Sequence, residues 1–434
     1  MAVAADHPDH PDHNPTTGET VRKILIASSG NLVEWFDFYL YAFFSVYFAQ
    51  QFFGGDQTQA FLGAAGVILL SFLMRPLGGY VFGRLADRYG RKTSMVTSVT
   101  LMSIGSLLMA VLPTSAQVGA VAPVLMLLVR CLQAFSVGGE YGATATYMSE
   151  VAQRGRRGFY SSFQYVTLIG GQLLASLLAT VMQLFMTSEQ LTAGGWRYAF
   201  VIGAALGLIS LWLRRSLTET QPDAAKTAEH AGTLRGVLRH KRSVLVVLGI
   251  TCFGSLVFYS FTTYMQKYLI NTAGMTKATA SNIMTVCLLI FMCAQPVVGA
   301  LSDRIGRKAS MFIFSIGMML VIVPAYRFLG ANQSPQMAML CLTGVMMILS
   351  FYTSIAGVLK AEMFPTEVRA LATGFIYAIG NALFGGSAEF VALSLKDRGH
   401  EGWFPVYVTG MAVVCLIAVV FMRDNRRHGF FRHD

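Results

Sequence analysis

Apolar runs recur along the chain, separated by short polar segments that carry most of its charge. An α-helix needs roughly 20 apolar residues to cross the hydrocarbon core of a bilayer. Twelve such runs are placed at about 24–52, 59–82, 93–112, 121–149, 158–185, 196–214, 243–270, 279–300, 309–329, 336–359, 368–395 and 403–422. This predicts an all-α membrane protein with twelve transmembrane helices. Composition agrees: with 54% of its 434 residues hydrophobic and 13% charged, the chain is too apolar to hide its surface inside one soluble core.

The net charge of +11 reads as topology. With both termini cytoplasmic, the tails and the loops after helices two, four, six, eight and ten hold most of the Lys and Arg residues. That is the bias expected of segments that resist translocation. Arg214, Lys360 and Arg369 count among these loop cations, and only Arg75 and Arg130 fall inside helices. The dispersed cations form no continuous basic face, which excludes nucleic acid as a partner. Residues 1–23 and 423–434 are expected as cytoplasmic tails, the first disordered; the DHPDHPDH run of that tail lacks the order of a cleaved signal.

All six cysteines fall within expected helices without metal-ligand spacing, so neither metal nor cofactor is expected. No zinc, nucleophile-elbow or phosphate-loop motif suggests an enzyme.

The loop GRLADRYGRK, Gly83 to Lys92, returns as GALSDRIGRK, Gly299 to Lys308, half a chain later. The chain is therefore one unit used twice: residues 24–214 and 243–422 form two six-helix halves joined by a polar linker, 215–242. The acids and bases of the repeated loop, Asp87, Arg88 and Arg91 and their partners Asp303, Arg304 and Arg307, are candidates for a conformational latch.

This loop resembles the signature of the major facilitator superfamily, as does the helix-four group Arg130, Gln133 and Ala134, where Ala134 replaces the family's usual Gly. GNLVEWFDFYLYAFFSVYFA, FLMRPLGG and MFPTEVRA narrow the likeness to the metabolite:proton symporters. SVGGEYGATATYMSEVA, FQYVTLIGGQLLA, FTTYMQKYLINTAGM and FGGSAEFVALSLK narrow it to that family's 2-oxoglutarate carriers. The resemblance implies alternating access and proton-driven import of a small dicarboxylate, 2-oxoglutarate above others, across the inner membrane. Betaine, proline, citrate or shikimate stay open as substrates, and a monomer is the expected functional unit. Helix five, reading LIGGQLL, lacks the family's antiporter glycine-proline pair.

Ionisable residues inside lipid are costly and usually functional. Glu34 and Asp37 lie three residues apart on helix one; two carboxylates held close in low dielectric suit a proton site, with Glu140 as a third candidate. The alternative is that these acids pair permanently with an Arg of a neighbouring helix. Every histidine lies in a tail or loop, so a proton relay must use carboxylates.

Carboxylate recognition calls for forked cationic donors, which Arg75 and Arg130 supply. Gln133, Tyr259, Thr262, Gln266, Tyr377 and Asn381 form polar stripes on helices four, seven and eleven that would line a cavity with them. Lys267 and Lys360, near helix ends, are candidate entry or gate charges.

Overall fold

The computed structural model describes residues 17–54, 57–331, 334–424 and 430. The expectations for the His7, His10 and His13 run and for His428 and His433 fall outside these residues. Among the described residues every regular element is helical. The spans are α1 (Thr17–Phe53), α2 (Gln57–Phe72 and Met74–Tyr89), α3 (Arg91–Val111), α4 (Val121–Val151), α5 (Arg157–Phe185), α6 (Ser188–Arg214), α7 (Lys241–Asn271), α8 (Lys277–Ile305), α9 (Arg307–Ala331), α10 (Pro335–Ala361), α11 (Arg369–Asp397) and α12 (Trp403–Phe421).

Eleven helices, all but α1, are long and apolar enough to span a membrane by themselves. The helix α1 has Asn31, Glu34 and Asp37 at its centre, yet it is enclosed by spans: a Cβ on Gly171 of α5 would strike the backbone of Leu32 and Phe36, and Gly203 of α6 faces Asp37 and Leu40. It starts at Thr17 rather than near Ile24, so residues 17–23 are helix and not tail, with Glu19 and Lys23 paired one turn apart at 2.9 Å.

Besides the π turn Leu191–Gly195 of α6 and a break at Ser354 and Ile355 of α10, three helices depart from regularity. The helix α2 breaks at Leu73 because Pro76 has no N–H to return to the Phe72 carbonyl. In α7 and α11, π-helical turns at Ser260–Tyr264 and Asn381–Gly385 each shift the register of the residues that follow.

Close approach of the helices depends on glycine. A Cβ on Gly78 of α2 would lie 1.8 Å from the Phe135 carbonyl oxygen of α4, and one on Gly138 of α4 would lie 2.0 Å from the Arg75 carbonyl oxygen of α2. The two backbones touch, and this contact fixes where Arg75 enters the bundle. The halves meet in the same way: Gly158 of α5 against the Gly299 carbonyl oxygen of α8 at 2.5 Å, and Gly83 of α2 against the Leu371 Cα of α11 at 2.6 Å.

The halves are joined at the end carrying the repeated loops, called here the loop end. Asp87 accepts hydrogen bonds from the backbone N–H of Ala370 and Leu371, at 3.1 and 2.9 Å, where α11 begins. Its repeat partner Asp303 accepts from Gly158 and Phe159, at 2.7 and 3.0 Å, where α5 begins. Each aspartate thus caps a helix of the opposite half, and the orphan N–H groups and dipole of a helix start favour an anion there. Arg91 holds Asp87 at 2.6 Å, and Arg307 holds Asp303 at 2.9 Å. Glu150 ties Arg91 to Arg369, at 3.3 and 2.8 Å, and Glu362 stands 3.6 Å from Arg307.

Arg88 belongs to a different contact, donating to the Ala231 carbonyl of the linker at 3.0 Å, and Arg304 is exposed. The linker itself is laid against both halves: Glu219 accepts from the Arg91 N–H at 2.8 Å, and the Gly232 N–H reaches the Glu367 carbonyl at 3.0 Å.

If the α2–α4 contact positions Arg75, Gly138→Ala should destabilise the protein by about 1–3 kcal/mol, the usual range for overpacking. A melting curve of the purified protein checks this against Gly344→Ala, whose Cβ would meet nothing within 4 Å and which should leave the transition unmoved.

Candidate functional site

The intramembrane charges fall into separate environments. Glu34 and Asp37 do not form a pair: α1 turns them to different sides. Asp37, fully buried, accepts from Ser106 Oγ at 2.5 Å and Gln133 Nε2 at 2.6 Å, with Arg130 at 3.6 Å. Arg130 donates to Gln133 Oε1 at 2.9 Å and lies over the Tyr41 ring at 4.4 Å. Arg130, Gln133 and Asp37 are therefore one network, in which Arg130 faces an internal carboxylate while its Nε stays without an acceptor.

Glu140 is engaged too, by Arg214. That side chain, expected as a loop cation, is fully buried at the end of α6 and forks onto both Glu140 oxygens; it also donates to the Ala27 and Met95 carbonyls. Ser98 and Thr144 give Glu140 two more bonds at 2.7 Å. A carboxylate so fully satisfied is suited to holding α3, α4 and α6 together.

Two groups are left without an opposite charge in contact. Glu34 is 4% exposed and makes no hydrogen bond or ion pair among the described residues, while Arg75, Arg214 and Glu140 surround it at longer range. Arg75 is 3% exposed and has no carboxylate within ion-pair distance among the described residues. Its Nε and Nη1 atoms lack acceptors. Aromatic faces shelter it instead: Phe72 at 3.8 Å, Phe38 at 5.2 Å and Trp35 at 5.6 Å.

The second half completes this chamber. Tyr259 packs edge-on against Phe72 at 6.1 Å, with its hydroxyl near Arg75 and Asn381. Both Tyr259 and Asn381 lie against Gly385, and Asn381 donates to the Tyr377 hydroxyl at 3.0 Å while its own carbonyl oxygen is buried and unpartnered. The expected stripe of α7 holds only in part. Thr262 returns its hydroxyl to the Phe258 carbonyl at 2.7 Å, and Gln266 is half-buried beyond the π turn. The hydroxyl of this turn that faces another side chain is that of Thr263, beside Tyr39. A 3.6-residue period could not reveal it, since the extra residue of the π turn breaks that period.

Lys360 departs furthest from its expected place. It is fully buried, ringed by Tyr141, Tyr352 and Tyr377. The outer-end Lys267 pairs with Glu389, and both lie in the second half. His230, His240 and His400, the described histidines, all lie between spans.

Known proteins with these features are transporters. The chain is 54% identical over 428 residues to the alpha-ketoglutarate permease of Escherichia coli (strain K12), covering 98% of this chain and 99% of that one. It is 30% identical over 428 residues to the proline/betaine transporter of Salmonella typhimurium, covering 94% and 84% of the two chains. Among solved structures, the proton:xylose symporter XylE bound to 6-bromo-6-deoxy-D-glucose superimposes with a TM-score of 0.78 at 17% identity, over 94% of this chain and 96% of that one. The E. coli fucose:proton symporter FucP superimposes with a TM-score of 0.69 at 18% identity, over 93% and 98%. Those two likenesses concern the fold alone. The family model of the Major Facilitator Superfamily matches residues 27–388 and again 268–431, and the chain belongs to that superfamily.

Proposed function

We propose that the protein is a proton-coupled symporter that imports 2-oxoglutarate across the inner membrane, with the loop end facing the cytoplasm. The observation that carries this reading is Arg75, a buried guanidinium whose Nε and Nη1 groups have no acceptor and which has no carboxylate within ion-pair distance among the described residues. A substrate carboxylate supplies what the fold withholds, and Arg matches it with two parallel donors. The 54% identity to the alpha-ketoglutarate permease supports the choice of dianion. A zwitterion with a quaternary ammonium would need free aromatic faces, and here Trp35, Phe38 and Phe72 are already occupied by Arg75.

A dianion entering a negative-inside cell works against about 2.3 kcal/mol per charge per 100 mV, so at least two protons must accompany it. Glu34 and Asp37 carry them. Glu34 has no fixed partner, and Asp37 is exposed to a change of state whenever Arg130 moves. Transport then follows from the loop end: with Asp87 and Asp303 seated on the opposite half, that end is closed, and their release opens it. The glycine contacts at the same end let the halves separate as rigid bodies. One chain holds the whole path, so a monomer suffices.

Three outcomes test the scheme in proteoliposomes with imposed gradients. Arg75→Lys should weaken 2-oxoglutarate binding about tenfold or more and depress exchange and accumulation together, because the fork is lost while the charge remains. Glu34→Gln or Asp37→Asn should abolish accumulation yet leave exchange of labelled for unlabelled substrate, which never requires the empty carrier to give up its proton. Saturable uptake of betaine without uptake of 2-oxoglutarate, or accumulation indifferent to a protonophore, would overturn the reading. For the latch, Asp87→Asn should cut the transport rate about tenfold, on the scale of one charge-assisted bond, while changing equilibrium binding much less; equal loss of both would mean that Asp87 serves folding alone.

A further inference from the structure

Lys360 is a buried cation that the scheme above leaves unused. It stands on the last turn of α10, beyond a break at Ser354 and Ile355. Its ammonium lies 4.8 Å from the Tyr141 and Tyr377 ring centres and 5.5 Å from that of Tyr352. It donates to the Tyr141 hydroxyl at 2.8 Å and the Tyr352 hydroxyl at 3.4 Å. An ammonium has three donors and here finds two neutral acceptors and, among the described residues, no carboxylate within ion-pair distance, so its need for an anion is unmet.

The cage joins the two halves. Tyr141 of α4 and Tyr377 of α11 stack with centroids 3.5 Å apart and planes 10° from parallel. Because Tyr141 accepts from Lys360, and Tyr377 accepts from Asn381, each hydroxyl proton is left to donate to an incoming anion. The ammonium and the Tyr141 hydroxyl therefore stand together as donors, with the Tyr377 hydroxyl at Asn381 beyond the stacked rings, the donor types of a carboxylate site.

Its position relative to Arg75 follows from helix register. Phe72 of α2 lies against Gly386 of α11, and Gly79 of α2 lies against Ala378. Arg75 falls between these levels, beside the Asn381 turn. Tyr377 is one turn nearer the loop end, about 5 Å along the helix. The polar line from Arg75 thus runs past Asn381 to the Tyr377 hydroxyl, 3.0 Å from Asn381, and on to Lys360, 4.8 Å from the Tyr377 ring centre.

Resting on the dicarboxylate reading above, we propose that Lys360 and its tyrosine cage bind the second carboxylate of the dianion while Arg75 binds the first. The tyrosines hold the ammonium while the site is empty, and the bound carboxylate replaces them. Because Tyr141 belongs to the other half, its replacement also loosens the contact between the halves. Lys360 is in this account the residue that distinguishes a dicarboxylate from a monocarboxylate.

The test is binding of 2-oxoglutarate and of 2-oxopentanoate, which has a methyl group in place of the distal carboxylate, to purified full-length protein by calorimetry. Lys360→Met should weaken 2-oxoglutarate about tenfold or more, the scale of one lost charge-assisted bond, and leave 2-oxopentanoate within about twofold. Lys360→Arg should keep most of the preference. Tyr141→Phe, which retains the ring stack, should lower the ratio of the two affinities about threefold, as expected for one lost neutral donor. Arg75→Lys should weaken both ligands alike. An unchanged ratio in Lys360→Met, or an equal loss of both ligands, would overturn the proposal even with 2-oxoglutarate binding intact in the unmodified protein. Failure of the unmodified protein to bind 2-oxoglutarate would instead remove the dicarboxylate reading and the proposal with it.

Discussion

A charge taken out of water must be given something to face, and the organisation of this membrane bundle can be read from how that demand is met at each buried cation. Arg214 receives a forked carboxylate and backbone carbonyls, which makes it a fixed joint between α1, α3, α4 and α6. Arg130 receives Asp37 through a looser contact, with Gln133 between them. Arg75 and Lys360 receive aromatic faces and phenolic oxygens in place of anions. The series runs from complete to incomplete compensation, and the incomplete members line the chamber where the halves meet.

Holding a charge in that state requires rigid surroundings, since a flexible protein would relax toward the nearest carboxylate. Glycine supplies the rigidity here. Backbone-to-backbone contact between α2 and α4 fixes where Arg75 enters the bundle, and Ser98, Thr144 and Arg214 keep Glu140 occupied. Between the halves the same kind of contact permits separation, because glycine faces present no interlocking side chains.

Much of this was legible beforehand. Twelve apolar runs and one repeated loop were enough for the spans and the two halves, because span length and charge placement are constraints that lipid imposes on sequence directly. The site was legible only as a cast of residues. Glu34 and Asp37 share a stretch of α1 but face different partners, and spacing alone does not say which neighbours will surround a helix. Arg214, Lys360 and Arg369 sit at helix ends where a cation ordinarily reaches water; the structure buries Arg214 among α1, α3 and α4 of its own half, and Lys360 and Arg369 against the opposite half. Thr263 was hidden by a π turn, and Glu150, the hub between Arg91 and Arg369, by its place at the last turn of α4.

The linker adds a mechanical property. It is fastened to the first half where Gln221 donates to the Asp87 carbonyl at 3.0 Å and where Arg88 donates to the Ala231 carbonyl at 3.0 Å, and to the second where Gly232 meets Glu367. Once Arg88 lets Ala231 go, the stretch from Gln221 to Gly232, which includes the short helix Asp223–Thr227, could extend to roughly 35 Å. It is therefore a slack strap and not a stop: it cannot limit how far the loop ends part. What it does is keep both ends of the strap attached to the very residues that move, so that any opening of that end must draw out or release a segment exposed to the surrounding water.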